Sequence, residues 1–159
     1  MAKNDLIDNL VKLGNGKLFL LRQLLVLAEQ QSKNIENEEA EELDKIIKQK
    51  QSIITKIDVL DEEFLRKYDL LRNSVAWETL EGLQPDEKDK IRILQGKIAE
   101  IYSLTEKTQK IDAANVDKLK KNLQSVQVEI KKIKKGKKIV QGYSNKNTEG
   151  ISIFVDERK

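Results

Sequence analysis

The sequence contains no cysteine and no histidine. Without cysteine, the chain can form neither a disulfide framework nor a thiol nucleophile. Without histidine, it lacks the commonest general base and the commonest metal ligand. It also shows no glycine-rich phosphate loop, no metal-ligand spacing and no nucleophile elbow. We therefore expect no catalytic residue, no metal site and no cofactor.

Proline, glycine and aromatic residues are scarce as well. The chain of 159 residues has one proline, seven glycines and 4% aromatic residues, whereas 36% of its residues are charged. This composition is typical of long helices or coiled coils in one domain, and it argues against a mixed sheet fold. The net charge of +3 is too small to indicate a nucleic-acid partner by itself.

Long apolar runs are also missing. The longest one, Leu18 to Ala28, is interrupted by Arg22 and Gln23, and it is shorter than the roughly 18 residues that a membrane span requires. It begins too far from the first residue, and lacks the small-residue cleavage site, for a secretory signal. We expect a cytoplasmic protein without stable membrane insertion.

The chain is organised around the segment from Pro85 to Lys138. Proline at the first helical position and acidic residues directly after it favour a helix start. Apolar or small residues then recur every three or four positions as far as Ile133, which is a helical period. At about 1.5 Å per residue, a helix of roughly 50 residues would be about 75 Å long.

Two further segments have the same period. The predicted fold class is all-α: an elongated antiparallel helical bundle, or coiled coil, of three long helices over about 4–32, 38–71 and 86–136. These form a single domain over 1–138, and a partly ordered C-terminal tail follows over 139–159. We expect the first helix to run through Gly14 to Gly16, because the apolar phase is the same on both sides. The helical pattern fails from Gly136.

The connections between the helices are polar. Asn37 is the predicted N-cap of the second helix, and the glutamates after it suit a helix N-terminus. Lys50 is the one charged residue in the apolar seam of that helix, and we expect its ammonium to extend to water along the seam. Trp77, between the second and third helices, is predicted to cap the open end of the hairpin.

An antiparallel pairing of the second and third helices places residue 121 near residue 38. Beyond Asn122 the third helix would have no neighbour, yet its apolar stripe continues. Leaving such side chains exposed would forfeit about 1.5–3 kcal/mol for each of them. Something should therefore cover them: the chain's own tail, a second copy of the chain, or an amphipathic helix of another protein. We favour a groove for a helix of another protein, with Tyr143, Phe154 and Val155 of the tail closing over it. The groove residues, called the distal stripe below, are Asn115, Leu119, Leu123, Val126, Ile130 and Ile133.

Two features of the third helix have competing interpretations. Asn115 either controls register, as a polar residue in a coiled-coil core does, or offers a hydrogen bond inside the groove. The lysines from Lys131 to Lys138 either compensate the helix dipole and aid solubility, or bind an anionic partner such as lipid headgroups or nucleic acid. We favour the first interpretation of the lysines, because no aromatic residues are interleaved for base stacking.

The segment from Ile35 to Phe64 resembles the second helix of FlgN-type flagellar export chaperones, with an acidic start, a Lys/Gln-rich stretch and Ile-Asp-x-Leu. Ile111 to Leu119 is similar to the family pattern Leu-Asn-x-x-Asn-x-x-Leu-Leu. Asn115 matches its second Asn and Leu119 its second Leu, whereas Asp112 and Lys118 depart from it. Tyr143, followed by Phe154-Val155-Asp156, looks like the tail of family members from Gram-positive bacteria.

The resemblance implies a non-enzymatic chaperone. It would bind the C-terminal amphipathic helices of hook-associated proteins at the hook–filament junction, prevent their early assembly and deliver them to the flagellar export apparatus. No nucleic-acid partner is expected. Two alternatives stay open: another secretion chaperone or coiled-coil adaptor with a different client, and a basic coiled coil that binds membrane or nucleic acid through its lysines.

Overall fold

The computed structural model describes residues 3–74 and 82–140, the last four of them as backbone only. It contains three helices: α1 (Lys3–Glu36), α2 (Ala40–Ser74) and α3 (Pro85–Val140). No strand occurs in these described ranges, and the prediction of an all-α fold with three long helices is confirmed. Trp77, the predicted cap of the hairpin's open end, lies outside the described residues.

The chain divides into two compact units, Met1–Asp112 and Ala113–Lys159. In the first unit, α2 runs antiparallel to α1 and to the first half of α3, so α1 and α3 are parallel. Cross-helix contacts show this order, because Lys90 of α3 bonds Asn4 near the start of α1 at 2.7 Å. Near the other end of the unit, Lys50 of α2 bonds Gln31 of α1 at 2.8 Å.

Two clusters of buried side chains hold the first unit together. One joins Ile7 and Leu10 of α1, Leu71 of α2, and Ile91 and Leu94 of α3, together with Leu83 just before that helix. The other joins Leu21 and Leu24 to Ile57, with half-buried Ile101 and Leu104 packed against them. Each cluster draws on all three helices. The apolar stripe that helical spacing predicts for α1 is thus only partly core, since Leu10 and Leu24 lie in these clusters whereas Leu13 and Leu27 are half-buried.

Helix α1 continues without interruption through Gly14 and Gly16, as expected. A β-carbon at Gly14 would lie 3.7 Å from Lys97 Cβ, and one at Gly16 would lie 3.4 Å from Leu60 Cδ1. The two glycines therefore lie where neighbouring helices approach α1 closely. The tertiary contacts on both sides of the glycines outweigh their cost of about 1 kcal/mol each in helix propensity.

The prediction that Asn37 caps the second helix is wrong. Helix α1 extends to Glu36 and closes in a Schellman turn, in which the Glu39 amide bonds the Asn34 carbonyl and the Glu38 amide bonds the Ile35 carbonyl. Glu38 occupies the left-handed position with φ of 56°. The connection to α2 is thus only the three residues 37–39, and α2 begins at Ala40.

Helix α3 begins as predicted and ends later than predicted. The Glu87 carboxylate accepts a hydrogen bond of 2.9 Å from the Gln84 amide, which is half of a capping box around Pro85. The helix does not fail at Gly136, since it continues to Val140. Glycine at position 136 lowers the stability of the helix without ending it. No neighbouring atom lies within 4 Å of a β-carbon placed there.

Candidate functional site

The distal stripe lies on the second unit, in the part of α3 after Asp112. Its apolar members follow one another at intervals of three or four residues, so they share a helix face. Leu119, Leu123, Val126 and Ile130 are only half-buried, and Ile133 is 47% exposed. Both core clusters consist of residues up to Leu104. Within the described residues, the stripe is therefore apolar surface outside the two cores.

Asn115, at the start of the stripe, differs from the rest because it is only 1% exposed. A side-chain amide at that depth must be hydrogen-bonded to be tolerated. Thr108, about two turns earlier, bonds back to the Leu104 carbonyl at 2.8 Å, which satisfies its hydroxyl within its own helix. Depth alone favours neither the register interpretation of Asn115 nor the groove interpretation, since both place the amide away from water.

The remaining predicted site features are partly outside the described residues. Tyr143, Phe154 and Val155 of the tail lie there, as do the side chains of the last two lysines of the basic run. Of the described lysines in that run, Lys131, Lys132 and Lys135 are exposed and Lys134 is half-buried. The exposed ones lie in the last turns of α3, where positive charge offsets the helix dipole.

A polar junction of three side chains lies inside the first unit, and sequence reasoning missed it. Lys50 Nζ donates to Gln31 Oε1 at 2.8 Å and to Asp112 Oδ1 at 2.6 Å. The Lys50 side chain is 12% exposed, so the expectation that its ammonium extends to water is wrong. Each of the three helices contributes one member of this junction. In the sequence, only the position of Asp112, three residues before Asn115, could have indicated a partner for Lys50.

A second missed feature is an open cleft between α1 and α2, called the α1–α2 cleft below. It has a volume of about 590 Å³. Phe19 and Val26 of α1 are 60% and 51% exposed in its wall. Helical periodicity does not indicate these two residues, because they lie off the main apolar stripe of α1. The lining residues are Phe19, Arg22, Gln23, Val26, Leu27, Gln30, Gln49, Ser52 and Ile53.

Over residues 3–74 and 82–140, no group of three or more acidic, histidine or cysteine side chains is placed to hold a metal ion. None of the helices described there is both long enough and apolar enough to cross a membrane.

Comparison with known proteins identifies the family of this chain. The model of the family described as FlgN protein matches residues 1–149. The chain belongs to the FlgN family. No curated protein and no solved structure matches the sequence. The prediction of a FlgN-type family member is thereby confirmed.

Membership of the FlgN family indicates a role as a flagellar export chaperone, with flagellar proteins as partners. It is a family of chaperones and not of enzymes. The distal stripe and the α1–α2 cleft are two apolar surfaces among the described residues.

Proposed function

We propose that this protein is a cytoplasmic flagellar export chaperone for hook-associated proteins. It binds their C-terminal amphipathic helices along the distal stripe, prevents their early assembly and delivers them to the export apparatus. Tyr143, Phe154 and Val155 of the tail close over the bound helix. Family membership supports the chaperone role, and the exposure of the stripe supports the choice of surface.

The observation that carries this proposal is the incomplete burial of a long apolar face. Leu123, Val126 and Ile130 keep the helical spacing of a packed seam, yet they are only half-buried. A partner helix with apolar residues at the same spacing would cover them by the helix-in-groove mode of recognition. Covering each side chain fully is worth about 1.5–3 kcal/mol, less what its present partial burial already contributes.

The first experiment is co-expression with the C-terminal helices of the organism's hook-associated proteins, followed by gel filtration. We expect the chaperone and a client helix to elute together. The two should still elute together at high salt, because apolar contacts are not screened by ions. Binding to phosphate groups would instead fall steeply with salt. The proposal fails if no helix of a hook-associated protein co-elutes, or if the complex dissociates as the salt concentration rises.

The surface itself is tested by truncation. Val126→Ala and Ile130→Ala should each weaken client binding by about 1–3 kcal/mol, the size of hot-spot losses. Each should lower the free energy of unfolding by much less than Ile57→Ala, a buried core residue for which about 2–5 kcal/mol is expected. Calorimetry of binding and urea unfolding measure the two effects. If Ile130→Ala unfolds the free protein as readily as Ile57→Ala does, the stripe is core and not a binding surface.

A further inference from the structure

The α1–α2 cleft is a second apolar surface, and it belongs wholly to the first unit. Two antiparallel helices lying side by side leave a long groove on either side of the pair. One side is filled, since Ile101 and Leu104 of α3 pack against Leu21 and Leu24 in a core cluster. Phe19 belongs to neither core cluster. The cleft is therefore a groove that one further helix would fill, completing a four-helix arrangement.

The walls of the cleft show what kind of helix fits. The floor and sides are apolar, with Phe19, Val26, Leu27 and Ile53 in them. The polar lining consists of three glutamine amides and one serine hydroxyl, which serve as both donors and acceptors. A helix with apolar residues at intervals of three and four would place them between these walls, as amphipathic helices do in grooves.

The charges around the cleft indicate which amphipathic helices would bind there. Arg22 is the only ionisable residue among those that line the cleft, and its ion pair with Glu100 is long, at 3.4 Å, and exposed. Such a pair is weak and exchanges readily with another carboxylate. The cleft itself thus presents one positive charge and no negative one.

The same helix faces carry more cations beyond the lining. Lys33 lies one turn after Gln30 on α1, and Lys56 lies one turn after Ser52 on α2; both are exposed, and neither forms an ion pair within the described residues. Lys45, one turn before Gln49, is paired with Glu42.

The carboxylates near the cleft are largely neutralised. Glu42 is held by that lysine, and Glu63, further along the same face of α2, is paired with Arg66 and Lys67 on its own helix. Glu29, one turn after Val26, is exposed and offsets one of the two unpaired lysines. The four cations Arg22, Lys33, Lys45 and Lys56 outnumber the three carboxylates Glu29, Glu42 and Glu100. The rim is therefore net positive by one charge, which favours a partner with carboxylates beside its apolar face.

We propose that the α1–α2 cleft binds an acidic amphipathic helix of a partner protein. This goes beyond the client binding assigned to the distal stripe, because the cleft lies on the other unit. A chaperone with two such surfaces holds its client on one and a second protein on the other at the same time. The partner helix carries apolar residues at intervals of three and four, flanked by Asp or Glu.

The test uses two synthetic helical peptides of the same length. Both have leucine at the apolar positions, and the flanking positions are Glu in one and Lys in the other. Each is labelled and titrated with the full-length protein by fluorescence anisotropy, at concentrations where the peptide is monomeric. We expect the Glu peptide to bind at least tenfold more tightly than the Lys peptide, and this preference to shrink at high salt. Equal binding of the two peptides, or none, overturns the proposal.

Matched variants locate the binding surface. Phe19→Ala and Val26→Ala should each weaken binding of the Glu peptide about tenfold, the size expected for a central apolar contact. Leu65→Ala, which truncates an equally exposed residue on α2 outside the cleft, should change it less than twofold. Ile130→Ala should also leave it unchanged. Loss with Ile130→Ala alone would assign the peptide to the distal stripe, which refutes the cleft while the proposed chaperone function stands.

A spectroscopic measurement covers the case in which a cleft variant folds poorly. Because the chain has no cysteine, Ser52→Cys introduces a unique thiol at the cleft for an environment-sensitive dye, and Ser103→Cys on α3 is the control. The Glu peptide should change the dye signal only at position 52. If the free protein instead forms a dimer that Phe19→Ala dissociates, the cleft is filled by a second copy of this chain, and the proposal is wrong.

Discussion

Replacing Asp112 by alanine tests the polar junction of the first unit most directly. Among the described residues, Asp112 is the only carboxylate that contacts the Lys50 ammonium, at 2.6 Å, and Gln31 supplies the other acceptor at 2.8 Å. In Asp112→Ala, the Lys50 ammonium keeps only one hydrogen-bond acceptor, the neutral side-chain amide of Gln31. Because the Lys50 side chain is 12% exposed, water cannot fully replace the lost carboxylate.

The size of the effect follows from how deeply each partner lies. Breaking a fully buried ion pair costs about 3–5 kcal/mol, whereas an exposed pair is worth about 0–1 kcal/mol. Asp112 is 40% exposed, so the junction belongs between these limits, and we expect Asp112→Ala to lower the free energy of unfolding by about 1–3 kcal/mol. Lys50→Met should cost less, about 1 kcal/mol or below, because it removes the buried charge and leaves Asp112 accessible to water.

Urea unfolding followed by circular dichroism at 222 nm measures both variants and the double variant. The double variant should be no less stable than Lys50→Met, because the aspartate has no function once the lysine is gone. Lys48→Met is the control, since its ion pair with Asp44 is exposed and should be worth under about 0.5 kcal/mol. If Asp112→Ala matches the wild type, or if Lys50→Met is the more damaging change, our account of the junction is refuted.

Two further predictions concern single positions, and a third concerns three lysines of α3. Glu38→Gly should stabilise the protein by up to about 1 kcal/mol, because the residue sits in the left-handed conformation that glycine adopts without strain; an unchanged urea midpoint would contradict this. Gly96→Ala should add about 0.5–1 kcal/mol in the same assay, since a β-carbon there meets nothing within 4 Å and alanine is the better helix former. Replacing Lys131, Lys134 and Lys138 together with Gln should change client affinity by under about 1 kcal/mol in calorimetry, whereas a tenfold loss would revive an anionic partner.

Much of the fold could be predicted from the sequence because helix periodicity reports burial directly. Ile46, Ile57 and Leu71 recur on one face of α2, and all three are buried in the structure. The helix ends were harder to predict. Asn37 is a good N-cap by residue type, but the Schellman turn requires only a left-handed residue, and here that residue is a glutamate that gives no local signal.

The candidate site could be predicted less completely, for a physical reason. The distal stripe has the same period as a core seam, so its exposure cannot be read from spacing and depends on what packs against it. The junction of Lys50 with Asp112 joins residues far apart in the chain, and no local pattern pairs a lysine on one helix with an acid on another. The α1–α2 cleft could not be predicted, because Phe19 and Val26 are isolated apolar residues on an otherwise polar face of α1.

The three-residue connection 37–39 also has a consequence for the order in which the chain acquires structure. Contacts between α1 and α2 near this connection are close in sequence, as Gln31 and Lys50 are, and such local contacts form faster than those that must close a long loop. During synthesis, at about 5–20 residues per second, this hairpin is complete several seconds before the last residue of α3 has been added. Both walls of the α1–α2 cleft belong to that hairpin. A nascent chain would therefore present the cleft while its distal stripe was still inside the ribosome.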